Sequence, residues 1–148
     1  LLKNKNDISL MIDKEYLRYW KIRMKNPLKD LETLKLNKYN FIIELGKKTK
    51  TYKDIMGQYT GLIKINKRSL NKILDFYESL NKRVKYDNNN FKNMYMTSFL
   101  QLLINEGWKI KAVKVKNQWL EFDSFNDLNI YEKLLKSNRL KNIFNFNS

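Results

Sequence analysis

Asp7-Ile8-Ser9-Leu10-Met11-Ile12-Asp13-Lys14-Glu15-Tyr16-Leu17-Arg18-Tyr19-Trp20-Lys21-Ile22-Arg23-Met24 is the stretch that sets the fold class. Ile8, Leu10 and Ile12 fall two apart, the period of a strand with one buried face, over roughly 7–13. Tyr16, Leu17, Trp20 and Met24 then recur three and four apart. That is the period of an amphipathic helix, which must stop before Asn26-Pro27. A strand running straight into a helix is the unit of layered α/β folds.

Working outward, Leu31 to Leu36 and Phe41 to Leu45 read as short extended runs separated by Asn37-Lys38-Tyr39-Asn40, a hairpin turn. Gly57 to Ile65 reads as another strand. Leu70, Ile73, Leu74, Tyr77 and Leu80 form one helical stripe behind Asn66 or Ser69 as caps. Asp87 to Asn90 reads as a polar loop. Thr97 is the expected cap of a helix carrying Leu100, Leu103 and Ile104, with Gly107 at its C′ position. Ile110 to Val115 reads as a strand, and Trp119 to Phe122 as a short second one. Ser124 with Asp127 makes a capping box for a last helix carrying Leu128, Tyr131, Leu134 and Leu135. Helices alternate with strands, so the expected architecture is α/β, a mixed but mostly parallel sheet with flanking helices. One domain over 1–136 is expected, followed by a frayed polar tail over 137–148.

Composition narrows the chemistry. The 148 residues contain neither Cys nor His. Disulfides, thiolate metal sites and imidazole bases are thereby excluded. Carboxylates, Lys, Arg, Tyr and hydroxyls remain, with a hard metal held by oxygen as the natural cofactor. Lys+Arg number 30 against 15 Asp+Glu, a net charge of +15. Such a balance suits anionic partners. The cations are mostly Lys, however, spread along the chain and accompanied by many Asn and Ile, as a biased base composition produces. Phosphorylated small molecules are served as well by this field as nucleic acid is, and nucleic acid is not the favoured partner. No run of 18 or more apolar residues is present, so no membrane span is expected, and the N-terminus has no signal-peptide pattern. A cytoplasmic location follows as the expectation. The opening Leu1-Leu2, without an initiator Met, is read as a cut with an upstream part missing.

Three segments together resemble nucleotidyltransferases of the sugar-phosphate and phosphocholine cytidylyltransferase type and their molybdenum-cofactor-guanylyltransferase-like relatives. The first runs Trp20-Lys21-Ile22-Arg23 through Asn26-Pro27-Leu28-Lys29-Asp30-Leu31-Glu32-Thr33-Leu34. The second is Ile43-Glu44-Leu45-Gly46-Lys47-Lys48 followed by Ile55-Met56-Gly57-Gln58-Tyr59-Thr60-Gly61-Leu62. The third is Met96-Thr97-Ser98-Phe99-Leu100-Gln101 through Trp119-Leu120-Glu121-Phe122-Asp123-Ser124 and Asp127-Leu128. The resemblance implies the C-terminal half of a Rossmann-like nucleotidyltransferase domain. It implies transfer of a nucleoside monophosphate from an NTP, CTP by preference, to a small phosphorylated acceptor such as phosphocholine, a phosphonate or a sugar phosphate. The family's glycine-rich phosphate loop and its first metal-binding Asp have no counterpart in these residues. Catalysis by this part alone is not expected. Tyr95 stands where the family pattern has Asp.

The resemblance also implies roles. Asp123 would hold Mg²⁺ with Glu121 beside it, although Asp123 and Ser124 equally read as the start of the last helix. Lys48 would contact a substrate phosphate, with Lys47 as the alternative match. Gly57 and Gln58, with Gly61, would let a ligand approach the backbone, or mark a β-bulge. Glu32 and Arg23 either face the acceptor or pair with each other. Trp119, with Trp20 and Tyr59, either lines a pocket for a cationic acceptor or is core. The rival reading is a non-catalytic basic α/β domain that binds nucleic acid or another protein.

Overall fold

The computed structural model describes residues 1–144. Strand β1 (Ile8–Asp13) leads into helix α1 (Tyr16–Arg23), and a short 3₁₀ turn at Pro27–Lys29 delivers the chain to the hairpin β2 (Glu32–Leu36) and β3 (Phe41–Lys48). Strand β4 (Gln58–Ile65) and helix α2 (Lys67–Ser79) follow. A two-residue-strand hairpin, β5 (Lys85–Tyr86) and β6 (Asn89–Asn90), precedes helix α3 (Met96–Asn105), strand β7 (Ile110–Val115) and helix α4 (Phe125–Lys136).

The main sheet has the order β2-β3-β7-β1-β4. Among the described residues its one parallel pairing of strands joins β1 to β7, in register from Ile8 opposite Ile110 to Asp13 opposite Val115, beside an isolated parallel bridge from Leu34 to Ile55. The other pairings, β1 with β4, β2 with β3 and β3 with β7, are antiparallel. The expectation of a mostly parallel, Rossmann-like sheet is therefore corrected to a mostly antiparallel one. Parallel neighbours need long crossovers. Here β2 and β3 are joined by a turn in which Asn40 adopts φ 59°, and that geometry returns the chain antiparallel.

Two bodies of apolar side chains hold the fold. Ile8, Leu10 and Ile12 of β1 are fully buried with Ile110, Leu34, Ile73 of α2 and Leu100 and Leu103 of α3. Tyr16, Tyr19 and Trp20 of α1 pack separately with Leu31, Ile55 and Tyr131 of α4. Leu140 and Ile143 join this second core, at 4% and 1% exposure. The frayed tail expected from Ser137 is thus tied down through 144, because these two apolar residues find a place beside α1 and α4. Residues 145–148 of that expected tail lie outside the described residues.

Local signals explain the ends of elements. Ser124 and Asp127 form a reciprocal capping box at the start of α4. Gly107, at φ 87°, stops α3 while its N–H and that of Trp108 bond back to Ile104 and Leu103. That is the paired closure expected of a C′ glycine. Thr97 does not cap α3, which begins one residue earlier with Tyr95 in the cap position. The expected loop at Asp87 to Asn90 is the tip of the β5–β6 hairpin, with Asp87 and Asn88 both at positive φ.

The strand expected over Trp119 to Phe122 is absent. Asn117 and Gln118 take φ values of 48° and 67°, turning the chain out of the sheet directly after β7. Tyrosine hydroxyls then serve the backbone in place of a neighbouring strand. The N–H of Glu121 donates to Tyr19 Oη at 2.6 Å, and its carbonyl accepts from Tyr131 Oη at 2.9 Å.

Candidate active site

The residues singled out in the sequence gather in two groups near the C-terminal end of β1. The first centres on Arg23, the last residue of α1. Its side chain is 3% exposed and meets three carboxylates. Nη1 donates to Glu121 Oε2 at 2.6 Å, Nη2 to Asp123 Oδ2 at 2.6 Å, and Nε to Asp127 Oδ1 at 2.9 Å. Burial alone would lower the basicity of Arg23, but the bonds to Asp127, Asp123 and Glu121 outweigh it and hold the guanidinium charged. Arg23 in turn holds the Asp127 carboxyl below its ordinary value. Glu121 goes the other way: burial pushes its carboxyl up, and neighbouring Asp123 adds to the push against the pull of Arg23.

Around this cluster the aromatics pack on one another. Tyr19 and Trp119 lie 5.1 Å apart between ring centres, Trp20 and Trp119 6.0 Å, and Tyr19 and Tyr131 share a hydroxyl–hydroxyl bond of 2.5 Å. The cation over the Tyr19 and Trp20 rings is the protein's own Arg23. Trp119 Nε1 donates to Oδ2 of Asp13, a fully buried carboxylate that also accepts the backbone N–H groups of Glu15 and Asn117. Tyr59, expected beside Trp20 and Trp119, packs against the other core instead, where burial raises its hydroxyl to about 12.

The second group lies where β2 faces β3. Glu32 pairs across the ladder with Lys48. Burial pushes the Glu32 carboxyl up, while Lys48 and a hydrogen bond from Thr97 pull it down. Gln58 is buried and spends its amide on the carbonyl of Glu32, at 2.7 Å, and that of Gly57. A Cβ on Gly57 would lie 3.1 Å from Ile12 Cδ1 and 3.2 Å from the Asp13 carbonyl, so its bareness accommodates β1. Gly61, at φ 82° with open space around it, sits in the irregularity of the β1–β4 ladder between Leu10 and Ile12, a bulge. Lys47 is bonded to Glu44 at 3.1 Å.

Arg23 and Glu32 do not pair with each other; the bonds of Arg23 run to Glu121, Asp123 and Asp127. What links the two groups is Asp30. Its carboxylate accepts from Trp20 Nε1 at 2.7 Å and presses electrostatically on both Glu32 and Glu121. Sequence reading left Asp13, Tyr19 and Tyr131 without a site role. Tyr131 stands one helical turn beyond Asp127, a spacing that carried the signal.

Mg²⁺ takes about six oxygen ligands but usually only one or two protein carboxylates. Among the described residues no group of three or more acidic side chains converges as a metal cage. Asp123, 60% exposed on its side chain with Oδ2 against Arg23, fits as a single ligand and not as part of a closed site. Among the described residues no helix is long and apolar enough to cross a membrane.

No protein-family model matches the chain. Over 130 residues, 88% of its length, it is 44% identical to the CTP:phosphoglutamine cytidylyltransferase of Campylobacter jejuni. The chain is similar to half of a cytidylyltransferase. It spans about half of that curated relative, 51% of its length. The likeness accords with the nucleotidyltransferase resemblance carried by the segments Trp20 to Leu34, Ile43 to Lys48 with Ile55 to Leu62, and Met96 to Gln101 through Trp119 to Ser124 and Asp127-Leu128, each of which supplies residues to the two groups described above.

Proposed function

We propose that these residues form the acceptor side of a CTP-dependent nucleotidyltransferase, which moves CMP onto a phosphorylated small molecule and releases pyrophosphate. The observation that carries the reading is the 44% identity to a CTP:phosphoglutamine cytidylyltransferase. A phosphorylated amino acid or amide of that kind is the acceptor the likeness favours, ahead of phosphocholine or a sugar phosphate. The aromatic geometry supports this preference, since the slot over Tyr19 and Trp20 already holds Arg23.

In the reaction an acceptor phosphate oxygen forms a bond to the α-phosphorus of CTP as the bond to the β-phosphate oxygen breaks. Two anions must be brought together, so alignment and positive charge are the protein's main contribution. Lys48 would meet a phosphate, with Glu32 opposite it on the ladder to orient the ammonium. Gln58 steadies the Glu32 backbone through its bond to the carbonyl, and Gly57 would let the ligand come close to the backbone. Arg23 acts as a positioning residue: it sets the directions of Glu121 and Asp123 without reaching substrate. Asp123 would hold Mg²⁺, which when bound offsets the negative charge of the phosphates. The reading carries with it a cytoplasmic location, where CTP is made and used.

The test is CMP transfer and pyrophosphate release with Mg²⁺, CTP and phosphoglutamine, measured on the longest natural polypeptide that contains this sequence. Lys48→Gln and Asp123→Ala should each reduce turnover by about 100-fold or more. No release with any pairing of NTP and phosphorylated acceptor, from a folded protein, would leave a binding role as the better account.

A further inference from the structure

At the other end of β1, about 20 Å from Asp13 by the rise of a strand, lies a hollow of about 430 Å³ that the proposed reaction does not use. Its walls include Lys5, Asp7, Arg68, Glu106, Trp108 and Lys109. A second hollow of about 340 Å³ adjoins it, sharing Asp7, Arg68 and Trp108 and adding Lys72. Four cations thus face two carboxylates across one indole. We propose that this is a mononucleotide-binding site, distinct from the candidate active site.

Three features argue for it. Arg68, exposed at the rim of the hollow, is turned towards it by two bonds, with Nε donating to Asp7 Oδ1 at 2.7 Å and Nη2 to the Lys5 carbonyl at 3.5 Å. A guanidinium bonded to one carboxylate keeps other N–H groups for a phosphate. Trp108 packs its ring partly against the main core, and its backbone N–H, bonded to the Leu103 carbonyl, closes the turn after α3. A half-buried indole beside cations suits a base stacked on the ring with its phosphate on Arg68, Lys5 and Lys109. The volume falls in the range of about 300–1,000 Å³ typical of small-molecule sites, more than a bare phosphate needs. The Glu106 carboxylate in the same wall repels a second phosphate, which favours one nucleotide over a continuing strand.

Of the three tryptophans, Trp108 packs on the main core while Trp20 and Trp119 pack together beside the candidate active site, so their indole N–H resonances separate the two places. Titration of the ¹⁵N-labelled protein with CMP and AMP should move the Trp108 resonance saturably and leave Trp20 and Trp119 in place. Arg68→Gln and Lys109→Gln should each weaken the binding by about tenfold, the worth of one charge-assisted hydrogen bond. Lys133→Gln, on α4, should not change it. The same spectra report whether each variant is folded. Movement of Trp119 in place of Trp108 would put the nucleotide at the candidate active site and overturn the assignment. Equal affinity for inorganic phosphate would remove the role of the indole. An affinity for oligouridylate that climbs with its length and falls steeply with salt would make the surface a nucleic-acid track instead.

Discussion

Arg23 brings one positive charge to three carboxylates, of which only Glu121 and Asp123 keep substantial contact with water, at 38% and 60% exposure. Removing it leaves Asp127, 5% exposed, without its counter-charge. Breaking a buried pair from one side costs about 3–5 kcal/mol, so Arg23→Gln should lower the unfolding free energy in urea by about that amount. The pH dependence follows from Asp127, whose folded carboxyl sits below its ordinary value of 3.8. Its contribution is present above 3.8 and is lost as pH falls through the lowered folded value. The stability gap between the native chain and Asp127→Asn should therefore be constant at neutral pH and close on acidification below 3.8. Glu32 behaves oppositely, because burial raises it above 4.5. Ionised, it weakens the fold, and that cost is absent below 4.5. Glu32→Gln should accordingly raise the melting temperature at neutral pH, with the gain vanishing as pH drops through the raised value towards 4.5. Such a gain is the argument that burial of Glu32, more than its pairing with Lys48, sets its balance in the fold. A melting temperature unchanged by Glu32→Gln at neutral pH would remove that argument.

At the scale of elements, two glycines with nearly the same backbone angle serve different ends. Gly46 sits at φ 83°, and a Cβ there would fall 2.8 Å from Cβ of Thr97, where α3 docks on β3. Gly61 sits at φ 82° with nothing within 4 Å. Gly61→Ala should cost about 1 kcal/mol, the backbone penalty alone. Gly46→Ala adds a steric clash between packed elements and should cost about 2–4 kcal/mol in the same urea titration. Equal losses would mean that α3 yields without cost. The period-two and period-four patterns made β1, α1, α2, α3, β7 and α4 legible, because each buries one face. Pairing direction was not legible: it depends on where a strand's partner sits, and β7 meets β1 across nearly the whole chain. The Trp119 segment read as a strand because its residues alternate, yet its hydrogen-bond partners are the hydroxyls of Tyr19 and Tyr131, supplied from distant helices. Arg23, Glu121 and Asp123 were each visible as site residues, whereas their convergence depends on α1 and α4 lying side by side. The polar composition after Ser137 likewise concealed Leu140 and Ile143, two apolar residues in an Asn- and Lys-rich stretch.

Over the whole molecule, 30 cationic side chains face 15 anionic ones, and the ion pairs outside the Arg23 cluster are largely exposed. Excess charge of one sign strains a compact state, and salt relieves it by shortening the reach of each charge from about 10 Å at 0.1 M to about 3 Å at 1 M. The urea midpoint should therefore rise as sodium chloride is added over that range. A falling midpoint would show that attraction among the surface pairs outweighs the repulsion. The strand order has a further consequence for how this protein is made. The strand that bridges β3 and β1 is β7, which comes last of the seven in the chain. Until residue 115 is made, β2 with β3 and β1 with β4 lack the strand between them, and they are tied at the other side, where Met56 N–H donates to the Leu34 carbonyl and the Gln58 amide to that of Glu32. The facing edges of β3 and β1 therefore stay uncovered until the last strand of the sheet is made, and that one strand covers both.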